Sequence, residues 1–569
     1  MSSMYRLHPI TETGINDEVS IGYDAICKRI AEKGIIDSIL VCEAYPGIPE
    51  DEIIKGLSPL SPSLIIKTSS LLKPADELEA FFQDYITDDR VFGFMCHKDI
   101  KSCFDAEKLK DAAESVRASC GLVLIAGPGA SLLTDKGTLL YFDITRWEIQ
   151  LRYRKGMPNW LFNNPEEETL RKFKRGYFIE WRMADRHKLS LFSNIEWYIS
   201  ADSDPRMIKA SSLRSALKRT AHRPFRMEPY FDPGVWGGQW MKRTFNLPAE
   251  KANYAWSFDG VPEENAIILS FGKDTVKIPA INLILTNPLP LLGEHVYGRY
   301  GAEFPIRFDI LDTMEGGNLS LQVHPLTGYI QHAFGMNYTQ DESYYILADS
   351  EDSSVYLGLK NGIDRDEMEK DLLSAEKGET SFDTEKYVNK FRAKKHDHFL
   401  IPAGTVHCSG KGTVVLEISA TPYIFTFKLW DWGRTGLDGK PRPLHIAHGL
   451  RNIQWNRDTD WVKENLIDQE EQIHDSSDYG MCRTGLHNLE PIETIRYTIR
   501  KEATINTEDS VNMLNLVEGQ EAVIESLDGS FPRFEVHNAE TFIVPASVKQ
   551  YRIKAVNGDA VLIAARIRK

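Results

Sequence analysis

The sequence predicts a multidomain chain: an N-terminal layered α/β domain, then all-β sandwich or jelly-roll domains with a helical insertion. Three observations carry this. The 569 residues are several times a typical domain of roughly 150. Up to about residue 225, short apolar runs alternate with segments of helical periodicity. Beyond it, β-branched and aromatic stretches recur between Gly, Pro, Asn and Asp, the punctuation of sandwiches and barrels.

In chain order, residues 75–87 and 105–118 carry apolar side chains at helical spacing, the second opened by Asp105 as a cap. The runs at 35–41, 63–67, 90–95 and 121–127 read as strands among them, and 191–202 holds a late strand. From 226 onward the stretches NAIILSF, NLSLQV, SYYIL, HFLIPAG, TVVLEIS and IFTFKLW predict the first sandwich. One helix interrupts it at 363–375, extended here to about 393, with an acid-rich first turn. An aromatic and charged connection follows over 431–490, and 491–569 reads as a second, smaller β-sandwich. The expected domains are therefore 1–225, 226–430 and 491–569.

Lys and Arg number 67 against 82 Asp and Glu, a net charge of −15, so the average surface repels nucleic acid and anionic lipid. No apolar run reaches the roughly 18 residues of a membrane span, and the N-terminal MSSMYRLHPITETG lacks an apolar signal core, which points to the cytoplasm. The seven cysteines are scattered without a C-x-x-C pair, as reduced, mostly buried thiols are. A metal would have to be held by His, Glu, Asp or Gln.

Gln322 and His324 alternate with apolar neighbours in LSLQVHP, so a strand places both on one face. Glu342 opens the strand DESYYIL, and the tight turn Pro402-Ala403-Gly404 delivers His407 to the next one. Two imidazoles, a carboxylate and an amide oxygen suit a divalent ion such as Zn²⁺. On the residues alone a second reading stands beside it, core histidines with satisfied hydrogen bonds and a surface Glu.

These segments resemble the metal site of the type I mannose-6-phosphate isomerases, zinc enzymes of the cupin superfamily. FPIRFDILD (304–312), LWDWGRTGLDGKPRPLHIAHGL (429–450), YFDPGVWGGQWMKRTF (230–245) and the distal strands extend the likeness over about 226–569. The resemblance implies cupin folds and an isomerase that interconverts mannose 6-phosphate and fructose 6-phosphate, or a related hexose phosphate, through a cis-enediol. It implies one Zn²⁺ held by Gln322, His324, Glu342 and His407, with Glu417 and Arg434 as catalytic carboxylate and cation. One departure is plain: the family's lysine two residues before the ligand glutamate is Gln340 here. An amide does not replace an ammonium. Either Lys428 or Arg299 enters the site, or the substrate differs, or the chain is a non-catalytic sugar-phosphate-binding cupin that acts as sensor or scaffold.

That family has no counterpart to the first 225 residues. GLVLIAGPGASLL (121–133) sets a glycine-rich turn after a strand, either a phosphate loop or a plain strand–turn, and it has no Walker lysine. From Arg146 to Lys188, 11 basic residues stand against 6 acidic ones, interleaved with aromatics. The segment reads as a solvated helical face, or as a pocket for a second anionic ligand with Arg182 and Arg186. It is faintly similar to the arginine-rich lid of a P-loop phosphotransferase, which would make the domain a degenerate kinase-like module that binds without transfer. Phosphorylation by the first half and isomerisation by the second is a third possibility, weakened by the missing lysine.

Overall fold

The computed structural model describes residues 4–34, 39–421, 423–437, 439 and 442–569. Of the strand expected at 35–41, residues 35–38 lie outside the described residues, and the strand itself runs Ile39–Ala44.

The first unit is a seven-stranded sheet. Its parallel strands are Ile39–Ala44, Leu64–Lys67, Val123–Gly127, Thr138–Asp143 and Trp197–Ser200; numbered in chain order they lie in space as 5-4-1-3-2. Ala75–Ile86 and Ala106–Ala118 are helices, and the Asp105 side chain accepts from the N–H groups of Glu107 and Lys108. The run at 90–95 is not a strand. It threads between the units, Met95 N–H donating to Phe334 O and Cys96 N–H to Phe178 O, both at 2.9 Å. The basic segment forms helices Arg146–Arg154, Thr169–Arg175 and Trp181–Leu191, with a π-turn at Gly176–Glu180.

Two antiparallel sheets form the middle unit. One orders the strands His398–Ile401, Asp341–Asp349, Thr413–Ala420, Arg307–Asp312, Trp256–Gly260 and Tyr230–Asp232; the other orders Val388–Arg392, Ser354–Leu359, His407–Ser409, Leu321–Val323 and Phe427–Trp430. The inserted helix Arg365–Glu376 is capped by Asp364, whose side chain accepts from Glu367 N–H. It does not continue to 393: Gly378 takes a positive φ of 75°, and Val388–Arg392 pairs as an edge strand with Ser354–Leu359.

The last sandwich is larger than expected. Glu471–Asp475 and Tyr479–Gly485, inside the expected connection, join its six-stranded sheet, and a four-stranded sheet faces them. An arm closes the molecule on itself: Ile10–Thr11 pairs in parallel with Ala266–Phe271, and Arg6 N–H donates to Glu540 Oε1 at 2.7 Å. One apolar core joins Leu40 and Phe178 to Val323 and Leu429, and another joins Leu213 to Ile310 and Ile563, so the units share their interiors. Among the described residues no helix is long and apolar enough to cross a membrane.

Candidate metal centre and its cavity

Gln322 lies on Leu321–Val323 opposite His407 on the neighbouring strand, and His324 follows directly. Glu342 comes from the other sheet, so the group sits between the sheets. The three metal-ligating atoms of His324, Glu342 and His407 lie within 4.8 Å of one another, and all three residues are buried. His324 Nε2 is 2.8 Å from Glu342 Oε2 and His407 Nε2 is 3.5 Å from Oε1. Gln322 Nε2 is 3.2 Å from His407 Nε2, and a half-turn of the amide puts its oxygen there.

Backbone carbonyls set the tautomers. His324 Nδ1 lies 2.8 Å from Phe425 O and His407 Nδ1 2.8 Å from Thr405 O. A carbonyl only accepts, so each Nδ1 carries a hydrogen, which leaves Nε2 as the ring atom that could take a metal. Burial favours the neutral form of Glu342, but His324 and His407 beside it hold its carboxyl well below the usual range. Burial lowers the His407 imidazole, keeping it neutral. Deprotonated, convergent and dry, this donor set fits a divalent ion.

A cavity of about 540 Å³ reaches Gln322 at the edge of this group. Gln322, Gln340, Asp309, Glu417 and Lys428 line it, and the α/β unit supplies Arg90, Trp147, Arg154 and Phe173 to its wall. Trp147 stacks on Tyr230 at 4.0 Å and Arg154 bonds both oxygens of Asp232, so the two units form one wall. Sequence reasoning did not foresee this contribution. Gln340 donates to Glu342 Oε2 at 2.8 Å and accepts from Phe425 N–H at 2.9 Å. Asp341 turns instead to Ala403 N–H at 2.9 Å, steadying the turn before His407. Burial, with Glu342 and Asp309 nearby, pushes the Glu417 carboxyl well above the carboxylate range.

Lys428 pairs across the strands with Gln322 and lines the cavity. Burial and the nearby Arg442 bring its ammonium down to about 7. Arg299 is exposed and not on the cavity wall. Arg434 is also not on that wall: it donates to Asp431 Oδ1 at 2.5 Å and to Asn318 O at 2.7 Å. Asp431 holds it, and Arg442, which also pairs with Asp431, lines the cavity. Asp438, Lys440 and Pro441 of the same motif lie outside the described residues.

Residues 22–222 match a family described as a domain of unknown function, DUF8485. More than half of the chain is similar to mannose-6-phosphate isomerases. ManA of Bacillus subtilis is 24% identical over 303 residues, 53% of this chain and 87% of that one. YvyI of the same organism, a putative mannose-6-phosphate isomerase, is 24% identical over 352 residues, 60% of this chain and 99% of that one. The crystal structure of the Bacillus subtilis mannose 6-phosphate isomerase aligns over 61% of this chain and 100% of its own, with 19% identity and a TM-score of 0.49.

In the α/β unit, the expected anion positions hold the chain's own groups. The N–H groups of Gly129 and Ser131 donate to Glu43 at 2.6 and 2.9 Å, so the glycine-rich turn already grips a carboxylate. Helix Glu50–Leu57, after the first parallel strand, opens on Glu50, Asp51 and Glu52, which suit its dipole and repel phosphate. Ligands of open α/β sheets sit beyond the carboxyl ends of the strands. Here Arg146 pairs with Asp185 and Glu263 at that end, and Lys188 bonds Asp143 and, at 3.0 Å, Asn282 of the sandwich. Arg182 donates to Glu263 at 2.5 Å, and Arg186 to the carbonyls of Cys96 and Lys98. The local positive excess is thus matched largely by carboxylates and carbonyls distant in sequence.

Proposed function

We propose that the chain is a metal-dependent aldose–ketose isomerase acting on mannose 6-phosphate and fructose 6-phosphate, or a related hexose phosphate, through a cis-enediol. Lys428 carries this reading. It brings a cation with no hydrogen-bonded partner among the described residues to the strand beside Gln322, on the cavity where Gln340 offers none. The similarity of more than half of the chain to mannose-6-phosphate isomerases supports it.

Gln322, His324, Glu342 and His407 would hold a divalent ion, Zn²⁺ by its donor set, which supplies Lewis acidity toward the sugar oxygens. Glu417 moves the proton between adjacent carbons of the sugar; its raised carboxyl can hold a proton as well as release one. Lys428 neutralises the enediolate or the phosphate. Arg434 bears on the site through Asp431, which it shares with Arg442. For the α/β unit we propose a role as the second wall of the cavity, binding without phosphoryl transfer.

The test is to incubate the pure protein with Zn²⁺ and mannose 6-phosphate and to follow fructose 6-phosphate, with His324→Ala as control. Conversion by the wild type alone is expected. A second reading, a sugar-phosphate-binding cupin acting as sensor, draws on the Gln340 amide between Glu342 and Glu417. It prevails if metal and hexose phosphate bind and no hexose phosphate turns over.

A further inference from the structure

A second cavity, of about 420 Å³, also lies between the α/β unit and the sandwich. Tyr177, Arg182 and Arg186 border it from one side and Glu263, Glu303 and Arg307 from the other. Tyr177 and Arg307 are each 1% exposed, yet among the described residues Tyr177 OH and both Nη1 and Nη2 of Arg307 have no hydrogen-bond partner. Buried polar groups left unpaired are costly and uncommon, so three such atoms on the residues of one cavity call for an explanation. Tyr177 belongs to the π-turn Gly176–Glu180, a widened turn of the kind frequent at functional sites. Arg182 Nε donates to the carbonyl of Tyr177 at 3.1 Å and holds that turn.

Several charges of the wall are paired. Arg182 donates to Glu263 at 2.5 Å, Arg307 Nε to Asp309 Oδ2 at 2.6 Å, and Asp185 faces Arg146. Burial, then Glu263, raises the carboxyl of Glu303. An added anion would meet Glu263 and Glu303, and an added cation would meet the three arginines. A hydroxyl gives and accepts at one atom without bringing charge, which is what unpaired donors beside carboxylates require. Ile281, Ile284 and Phe304 leave an apolar surface for the C–H face of a ring.

We propose that this second cavity is a binding site for a neutral polyhydroxylated molecule, a free sugar or sugar alcohol, separate from the metal-bearing cavity. Arg307 connects the two: the Asp309 it holds lines the first cavity and pairs across the strands with Glu417. The proposal stands whether or not the metal centre catalyses isomerisation.

Calorimetric titration of the full chain with mannose, mannitol and inorganic phosphate tests it. Mannitol has no carbonyl to isomerise, so its binding is separable from turnover. Mannose or mannitol is expected to bind His324→Ala as it binds the wild type. Tyr177→Phe, which removes one buried hydroxyl, should weaken binding about tenfold, the effect of one such hydrogen bond. Glu303→Gln, which keeps the side-chain shape, gives an independent reading if Tyr177→Phe fails to fold. Zinc uptake by both variants should be unchanged. Absence of polyol binding overturns the proposal, as does binding abolished by His324→Ala and untouched by Tyr177→Phe and Glu303→Gln. Displacement of the polyol by phosphate also overturns it, by showing an anion site.

Discussion

Lys428 joins two opposed pH effects in one side chain. Its ammonium is brought down to about 7 by burial first and by Arg442 next, whereas the unfolded chain titrates near 10.4. Between these values the unfolded state binds the proton that the folded state has lost, so this group favours folding increasingly as pH rises. Its charge is present only below about 7. Affinity for a phosphorylated sugar is therefore expected to fall as pH rises through that value. Lys428→Arg, always charged, should flatten that profile, and Lys428→Met should lower kcat/KM by about 10²-fold or more; titrations at pH 6 and pH 9 and initial rates check both. His407→Ala leaves Glu342 buried beside one imidazole, and elemental analysis should show the bound metal fall well below one per chain. His324, Glu342 and His407, which the fold brings together, were legible as candidates because strand alternation and a Pro-Ala-Gly turn are local signals. The partners of Arg434 were not, since Asp431, which it shares with Arg442, and the Asn318 carbonyl meet it only in three dimensions.

At the scale of elements, the turn Pro402-Ala403-Gly404 aims His407. Gly404 has φ of +91°, and a Cβ there would meet Gln454 Cγ at 2.7 Å and Asn452 O at 2.9 Å. Gly404→Ala is expected to cost about 1–3 kcal/mol and to weaken metal affinity together with Tm, since the strain falls on the segment that carries a ligand. Zinc titration and thermal melting of that variant measure both. Helices with a cap and a stripe, such as Ala106–Ala118 behind Asp105, followed from the sequence. The strand Val388–Arg392 did not, because its acidic and basic neighbours continue a helical texture and only its pairing with Ser354–Leu359 decides the matter. The basic helices misled in a related way: Glu79, Asp232 and Glu263, which neutralise them, are 70 or more residues away in the chain.

For the whole molecule, the shared interiors make the α/β unit and the first sandwich cooperative. Arg146, 2% exposed, ties Asp185 of one unit to Glu263 of the other. Arg146→Met leaves Asp185 and Glu263, both buried, to share Arg182 as their remaining arginine and is expected to destabilise the chain by about 3 kcal/mol. Calorimetry should then show one joint transition shifted downward for these two units, where independent domains would give two. The change of texture near residue 225 was readable in the sequence, but the interlocking was not, because no local pattern announces a wall built by residues 90, 147 and 428 together. The arm has a consequence in time. Ile10 and Thr11 have no strand to join until Ala266–Phe271 and its partner Asp274–Pro279 have been made, and Arg6 waits for Glu540. At about 5–20 residues per second, the arm trails loose for roughly 13 s to almost a minute of synthesis before its first pairing partner exists. A segment made long before its partner strand is therefore late to find its place, and during that interval it is open to any chaperone or protease that meets it.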